Sequence, residues 1–378
     1  MVALYVDPAG LHELEKATGR HVEDAQLARG YFEKHGDMVW GGQGIINAFN
    51  NTHEKINGDV RAFLGKVGNE TLPGFSAGVA AARRYYANSD QAAADRMDGA
   101  RPAVDPGPAR RAVDPIPTGS TATRVRESFA DVTEPFVHLT EPPDFNQRMA
   151  FEPKWHDMAS PAGMIRNAYW AVTWAAWQLG LSDRAYDLYE GVLKPVCGDW
   201  AGMAKVGYAL ERTAHCLLDL SSNLTWAGQC TPNAWSGNAA DAAVSTMYTI
   251  NKALNDAHVA MLQMGKEYSS AAEGAFDFSD TIGSLISEAA DAAITGAMAA
   301  GLATGSASTG IGAPVAVVLG IWFASEVHTV VRACREIIQL VGKLDALTSS
   351  LKASGDQFGR LDGNFPLPTL PAVPALPA

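Results

Sequence analysis

This chain has little of what most enzymes, nucleic-acid binders and disulfide-built proteins depend on. Its 378 residues carry 29 Lys and Arg against 41 Asp and Glu, a formal charge of −12. The dense cationic surface that phosphate contacts need is missing, which excludes a nucleic-acid partner. The small basic clusters, Arg83 with Arg84, Arg110 with Arg111 and Arg124 with Arg126, read as solvated surface. Four cysteines are present (Cys197, Cys216, Cys230, Cys334) with no Cys-x-x-Cys among them. They are too few and too scattered for a disulfide framework or a structural zinc site. Cys216 and Cys334 fall at apolar helical seams as buried thiols, whereas Cys197 and Cys230 flank one helix and either pair at its end or stay free. Nucleotide-binding Gly-x-Gly-x-x-Gly and Walker loops are absent, as are His-Glu-x-x-His and Gly-x-Ser-x-Gly. None of the nine histidines has a partner at ligand spacing. His215 and His258 fall on facing helices and read as solvated flank residues rather than a metal pair. No catalytic residue, metal or cofactor is therefore expected, and the chain does not read as an enzyme. The first eleven residues lack a cationic start followed by an apolar run, so no Sec signal peptide is expected.

What is present is helical periodicity. Met203, Val206, Leu210, Thr213, Leu217, Leu220 and Leu224 recur at steps of three and four. So do Ala240, Ala243, Met247, Ile250, Leu254, Ala257, Met261, Met264 and Tyr268. Each run puts one apolar seam on a helix, and a seven-residue repeat favours coiled-coil-like packing. The turn between them, residues 228–237, contains Pro, Gly and Asn and ends in Trp235-Ser236-Gly237. The two helices should fold back as an antiparallel hairpin. Ser236 or Asn238 is expected to cap the second helix, and Asp241 suits the positive end of its dipole. Gly237 lets the backbone turn under the indole of Trp235.

The N-terminal hundred residues repeat this plan. A helix over 8–36 carries Leu11, Leu14, Thr18, Val22, Ala25 and Phe32 on one side, and a Gly-rich bend follows with Trp40-Gly41-Gly42. A helix over about 44–71 then keeps Ile45, Phe49, His53, Ile56, Val60, Phe63 and Val67 in register. Pro73-Gly74 should break or kink it, and a polar helix continues past Tyr86 to about Met97. Residues 99–125 are a Pro-rich linker. Residues 126–197 hold an irregular segment and then helices whose Trp170, Trp174 and Trp177 share one face, as core aromatics do. The second hairpin occupies 198–275. An apolar to amphipathic helical hairpin should span 276–360, turning at 305–314, with no charge from 292 to 325. Residues 361–378 are a Pro-rich tail expected to be disordered. The fold class is thus all-α: two long antiparallel hairpins plus an apolar C-terminal hairpin.

A helical hairpin with Trp-x-Gly at its bend resembles the WXG-motif (ESAT-like) proteins of the type VII, or ESX, secretion systems, especially those of Actinobacteria. Substrates of the actinobacterial systems also carry Tyr-x-x-x-Asp/Glu after the second helix. Tyr86 and Asp90 match that signal, 46 residues past Trp40. Tyr186 with Glu190 is a second formal match, but it precedes its hairpin and reads as structural. On one helix, Tyr86 and Asp90 would share a receptor-facing side. The N-terminal module is similar to the EspC-like group and the whole layout to EspA-like substrates. In one departure, Ala272 stands where an acid would complete a signal begun at Tyr268; in another, no toxin domain follows.

The resemblance implies a non-enzymatic type VII secretion substrate or secretion-associated protein, made in the cytoplasm and exported or displayed at the cell surface. Its implied partner is the secretion ATPase and machinery; a separate WXG-type partner, a second copy and a membrane surface stay open. Family members dimerise with one partner's Trp-x-Gly beside the other's Tyr-x-x-x-Asp. Both halves lie in this chain, which leaves open a four-helix bundle that pairs them internally. Two other readings stand beside this one: a membrane-active effector using 283–326 as a helical hairpin, its first arm rich in Ala and Gly and its second, Ile311 to Ser325, short for a span, and, more remotely, a toxin-type enzyme.

Overall fold

The computed structural model describes residues 4–38, 46–89, 91–101, 103–104, 129–145, 200–307 and scattered helical residues between 325 and 356. The protein is all-α, as expected, with one addition: a ladder of two-residue strands. In chain order the elements are β1 (Tyr5–Val6), α1 (Pro8–His35), α2 (Ile46–Lys66), α3 (Leu72–Asn88), α4 (Gln91–Gly99), α5 (Trp200–Ala234), β2 (Trp235–Ser236) and α6 (Asn238–Ala307). Helix α1 starts where Asp7 accepts the Ala9 amide at 3.0 Å and Pro8 occupies the first turn. It ends with Lys34 in the last turn, where a cation suits the dipole.

The seams are where periodicity puts them. Leu11, Leu14, Thr18, Ala25 and Phe32 of α1 are buried, as are His53, Ile56, Val60 and Phe63 of α2 and Val67 just after it. Every seam residue named for α5 is buried, and so are those of α6 apart from the half-buried Ala243. Helix α5 packs along α6, α1 packs along both α5 and α3, and one contiguous core joins residues of both modules. Two glycines meet where α5 and α6 approach closely. A Cβ at Gly207 would lie 2.8 Å from the Gly265 carbonyl oxygen, and one at Gly265 would lie 2.9 Å from that of Gly207.

Four local expectations need correction. The first concerns Pro73, which sits in the first turn of α3 rather than at a break. The irregularity falls just upstream, in a π-helical turn at Val67–Thr71. A proline removes one i→i−4 bond and clashes with that carbonyl, and the wider turn absorbs the misfit. Second, α3 stops at Asn88 because Ser89 is extended, with φ −107° and ψ 142°. The helix that carries Tyr86 therefore ends before Ser89, and Asp90 lies outside the described residues. Third, α5 runs through Pro232 to Ala234, so the turn shrinks from 228–237 to three residues. Ala227, Cys230, Thr231 and Ala234 are all buried there, and this packing outweighs the weak helix propensity of the Gly, Pro and Asn positions. Fourth, α6 does not end near 275 but continues to Ala307, with no proline to stop it. At 1.5 Å per residue it is roughly 105 Å long.

Helical residues between 328 and 356 return beside α6. Arg332 pairs with Glu288 at 2.5 Å and Ser354 donates to Glu267 at 2.7 Å, so the two runs are antiparallel. The returning end reaches α2, where Lys55 pairs with Asp356 and a Cβ at Gly355 would meet the Ile56 side chain. The turn expected at 305–314 does not begin before Ala307, since residues 305–307 are still helical; its remainder, the uncharged stretch beyond Ala307, most of the linker, the Trp-rich helices and the Pro-rich tail lie outside the described residues. Among the described residues no helix is long and apolar enough to cross a membrane.

Residues 129–145 form an extended strap with one 3-10 turn, Pro135–His138. It is held by polar groups of α1 and α5. Asn223 accepts from the amides of Val132 and Thr133 at 2.9 and 3.0 Å and donates back to the Thr133 carbonyl at 3.0 Å. Arg20 pairs with Asp131 at 2.5 Å, and Tyr31 donates to the Thr140 carbonyl at 2.8 Å.

Candidate functional site at the tryptophan bend

Three distant parts of the chain converge on Trp235, Ser236 and Gly237. The first is β1, which pairs antiparallel with β2 so that Tyr5 faces Ser236 and Val6 faces Trp235. The Asp7 amide extends this ladder to the Ala234 carbonyl at 2.7 Å. Residues 5–7 are thus stapled to the bend by backbone bonds, which periodicity cannot reveal. A strand two residues long carries no alternation to read.

The second part is Tyr86, on the last turn of α3. Its ring meets the Trp235 indole edge to face, with centroids 5.9 Å apart and planes at 69°. Trp235 is 3 % exposed, and Tyr86 is half-buried. Such aromatic pairs contribute about 0.5–1.5 kcal/mol beyond the area they bury. Burial pushes the Tyr86 phenol above its ordinary pKa, against the pull of the Trp235 indole N–H. That N–H is buried and has no acceptor of good hydrogen-bond geometry among the described residues.

The third part is the end of α4. Asp98, buried, receives the Asn238 amide at 2.9 Å on one carboxylate oxygen and the Ala239 amide at 2.9 Å on the other. These are free donors at the start of α6, and the residue that caps them lies 140 positions earlier in the chain. Asn238 answers in the other direction, its side-chain amide donating to the carbonyls of Asp98 at 3.0 Å and Arg101 at 3.1 Å. Gly237 has φ +121°, the one positive φ recorded among the described residues. A Cβ there would lie 2.7 Å from an Asp98 carboxylate oxygen. Glycine is needed for the turn itself and for the space that Asp98 fills.

Of the site residues expected from sequence, Tyr86, Trp235 and Gly237 are brought together. Trp40, Gly42 and Asp90 lie outside the described residues. Tyr268, considered above as the start of a second signal, is fully buried, and its hydroxyl lies 2.9 Å from Nδ1 of His53. It locks α6 to α2 and is a structural tyrosine.

His215 and His258 do meet across the hairpin, with ring centroids 5.8 Å apart, and the ring of His138 from the strap lies 5.6 Å from that of His215, tilted by 35°. His138 Nε2 is 3.0 Å from Asp219, and His258 Nδ1 donates to the Ala214 carbonyl at 2.9 Å. Burial, then the neighbouring histidines and Arg212, hold His215 below its ordinary pKa. No group of three potential ligands among the described residues is placed to hold a metal. Cys216 and Cys230 are buried free thiols, so Cys230 is not paired with Cys197. Burial raises both, Cys230 to about 11.

No family model matches the chain, and neither the curated proteins nor the solved structures contain a significant match to it.

Proposed function

We propose that this protein is a non-enzymatic substrate of an actinobacterial type VII secretion system, exported or displayed at the cell surface, whose tryptophan bend is the element the secretion machinery docks. One observation carries the reading: Tyr86 of the first module and Trp235 of the second touch within a single chain. In the family that the sequence resembles, the corresponding residues meet between two separate hairpins. Here the two modules supply both halves within one chain. A partner hairpin is then unnecessary for presenting the composite surface. The neutral, half-buried Tyr86 and the buried indole give the docking surface its shape; its exposed parts are supplied by Tyr5 and the surface around α4.

The test is export from an actinobacterial host with a working type VII system. Trp235→Ala and Tyr86→Ala should each cut the secreted fraction at least tenfold while the purified proteins keep their helical circular dichroism. Undiminished secretion of both variants sinks the proposal.

A further inference from the structure

We infer that Asp98 is the positioning residue of the bend: its carboxylate joins the end of the first module to the start of α6 and holds Trp235 against Tyr86. This rests on the reading of the bend as the docking element. It assigns the acid that builds the bend to Asp98, eight residues beyond the Asp90 of the sequence signal.

The geometry is reciprocal. Asp98 takes two amides that open α6, and the Asn238 side chain takes two carbonyls that close α4. The C-terminal, negative end of α4 thus faces the N-terminal, positive end of α6, and a carboxylate lies between them where it complements the latter. Both carboxylate oxygens are used, each on a different amide, so size and charge alone do not substitute for it. Asp98 is buried at 7 % exposure, so the charge-assisted bonds are little diluted by water. Tyr86 feels the same groups: after burial and the Trp235 indole, the charge of Asp98 raises its phenol pKa and that of Arg101 lowers it. Gly237 completes the device. Any side chain there would enter the space of the Asp98 carboxylate, so the glycine of Trp-x-Gly and the aspartate are one unit. Without Asp98, the two amides lose their acceptor, the α4 end detaches, and the turn that fixes Trp235 loosens.

The experiment uses the full chain with three substitutions, Asp98→Ala, Asp98→Asn and Gly237→Ala, read by amide hydrogen exchange and by export. Asp98→Ala should speed exchange at residues 234–240 at least tenfold and lower secretion at least tenfold, leaving exchange in the α5–α6 seam as in the parent. Asp98→Asn keeps the size and one acceptor oxygen, and should fall between parent and Ala on both readouts; it also serves if the Ala variant does not fold. Gly237→Ala should be at least as disruptive as Asp98→Ala, because it adds backbone strain at φ +121° to the collision, and the double variant should fall short of the sum of the two, because the collision disappears with the carboxylate while the strain stays. If Asp98→Ala is secreted normally while Trp235→Ala is not, the inference is overturned and the docking reading stands. If all of them, Trp235→Ala included, are secreted normally, the docking reading itself falls. Lost secretion with unchanged exchange at 234–240 would also overturn the positioning role.

Discussion

At the scale of single residues, two buried groups carry opposed pH dependences. Burial lowers His53 to about 4, with Asp37 and Arg61 acting in opposite senses. Its folded pKa lies below its unfolded one, so the unfolded chain binds more protons between about pH 6.5 and 4. Stability from this group is full above that window and is lost as pH falls through it, of order 3 kcal/mol. Asp24 is the reverse case. Burial, with Asp131 and Glu23 nearby, raises it to about 6. The folded chain then holds the extra proton, and stability from this group falls as pH rises from about 4 to 6. Asp24→Asn should therefore stabilise the protein at pH 7 by about 1–3 kcal/mol, and urea unfolding from pH 4 to 7 should show the gain shrinking as pH drops. An equal gain at both ends would show that Asp24 is not protonated in the fold. Tyr268→Phe removes the hydroxyl beside His53 and should cost about 1–3 kcal/mol, the penalty of a buried polar group losing its bond. Periodicity placed His53 and Tyr268 on their seams, but nothing in the spacing says that they pair, because 215 residues separate them.

At the scale of elements, the α5–α6 contact and the strap differ in kind. The two helices meet through apolar seams and a close crossing at Gly207 and Gly265, so Gly207→Ala forces backbone apart and should cost about 1–3 kcal/mol by overpacking. A melting temperature unchanged from the parent would contradict that crossing. The strap instead presents Val132, Phe136 and Val137 outward and is anchored by hydrogen bonds and ion pairs. Asn223→Ala removes the side chain that reads its backbone. Hydrogen exchange over 129–140 should then rise while α5 and α6 keep their protection, since local openings follow local bonding. The helices were legible because 3,4 periodicity reports which face is buried. Their ends were not: packing carries α5 through Pro232, and no stop signal marks a boundary inside α6 at 275.

At the scale of the whole molecule, α6 starts at the bend and runs past the shared core to Ala307, so the candidate docking element and the uncharged stretch lie toward opposite ends of one long helix. The two modules share a contiguous core, with α1 against α5 and His53 against Tyr268. Cutting a protease site inserted between residues 105 and 128 should therefore leave both fragments eluting together, with the helical signal retained. Separation of the fragments in size-exclusion chromatography would show that the linker, rather than the core, holds the modules together.

The sequence by itself determined the helical class, the seams and the placing of Trp235 and Gly237 at a bend, because each is a local consequence of spacing and backbone freedom. Tertiary structure alone decided what surrounds that bend. Tyr86, Asp98 and the strand at Tyr5 and Val6 come to it from far along the chain. Each meets it through a ring face, a carboxylate or a backbone bond, none of which leaves a periodic trace. The glycine at 237 shows the difference most plainly. Its freedom to turn is written in the residue, while its need to stay small is set by a carboxylate that only folding brings there.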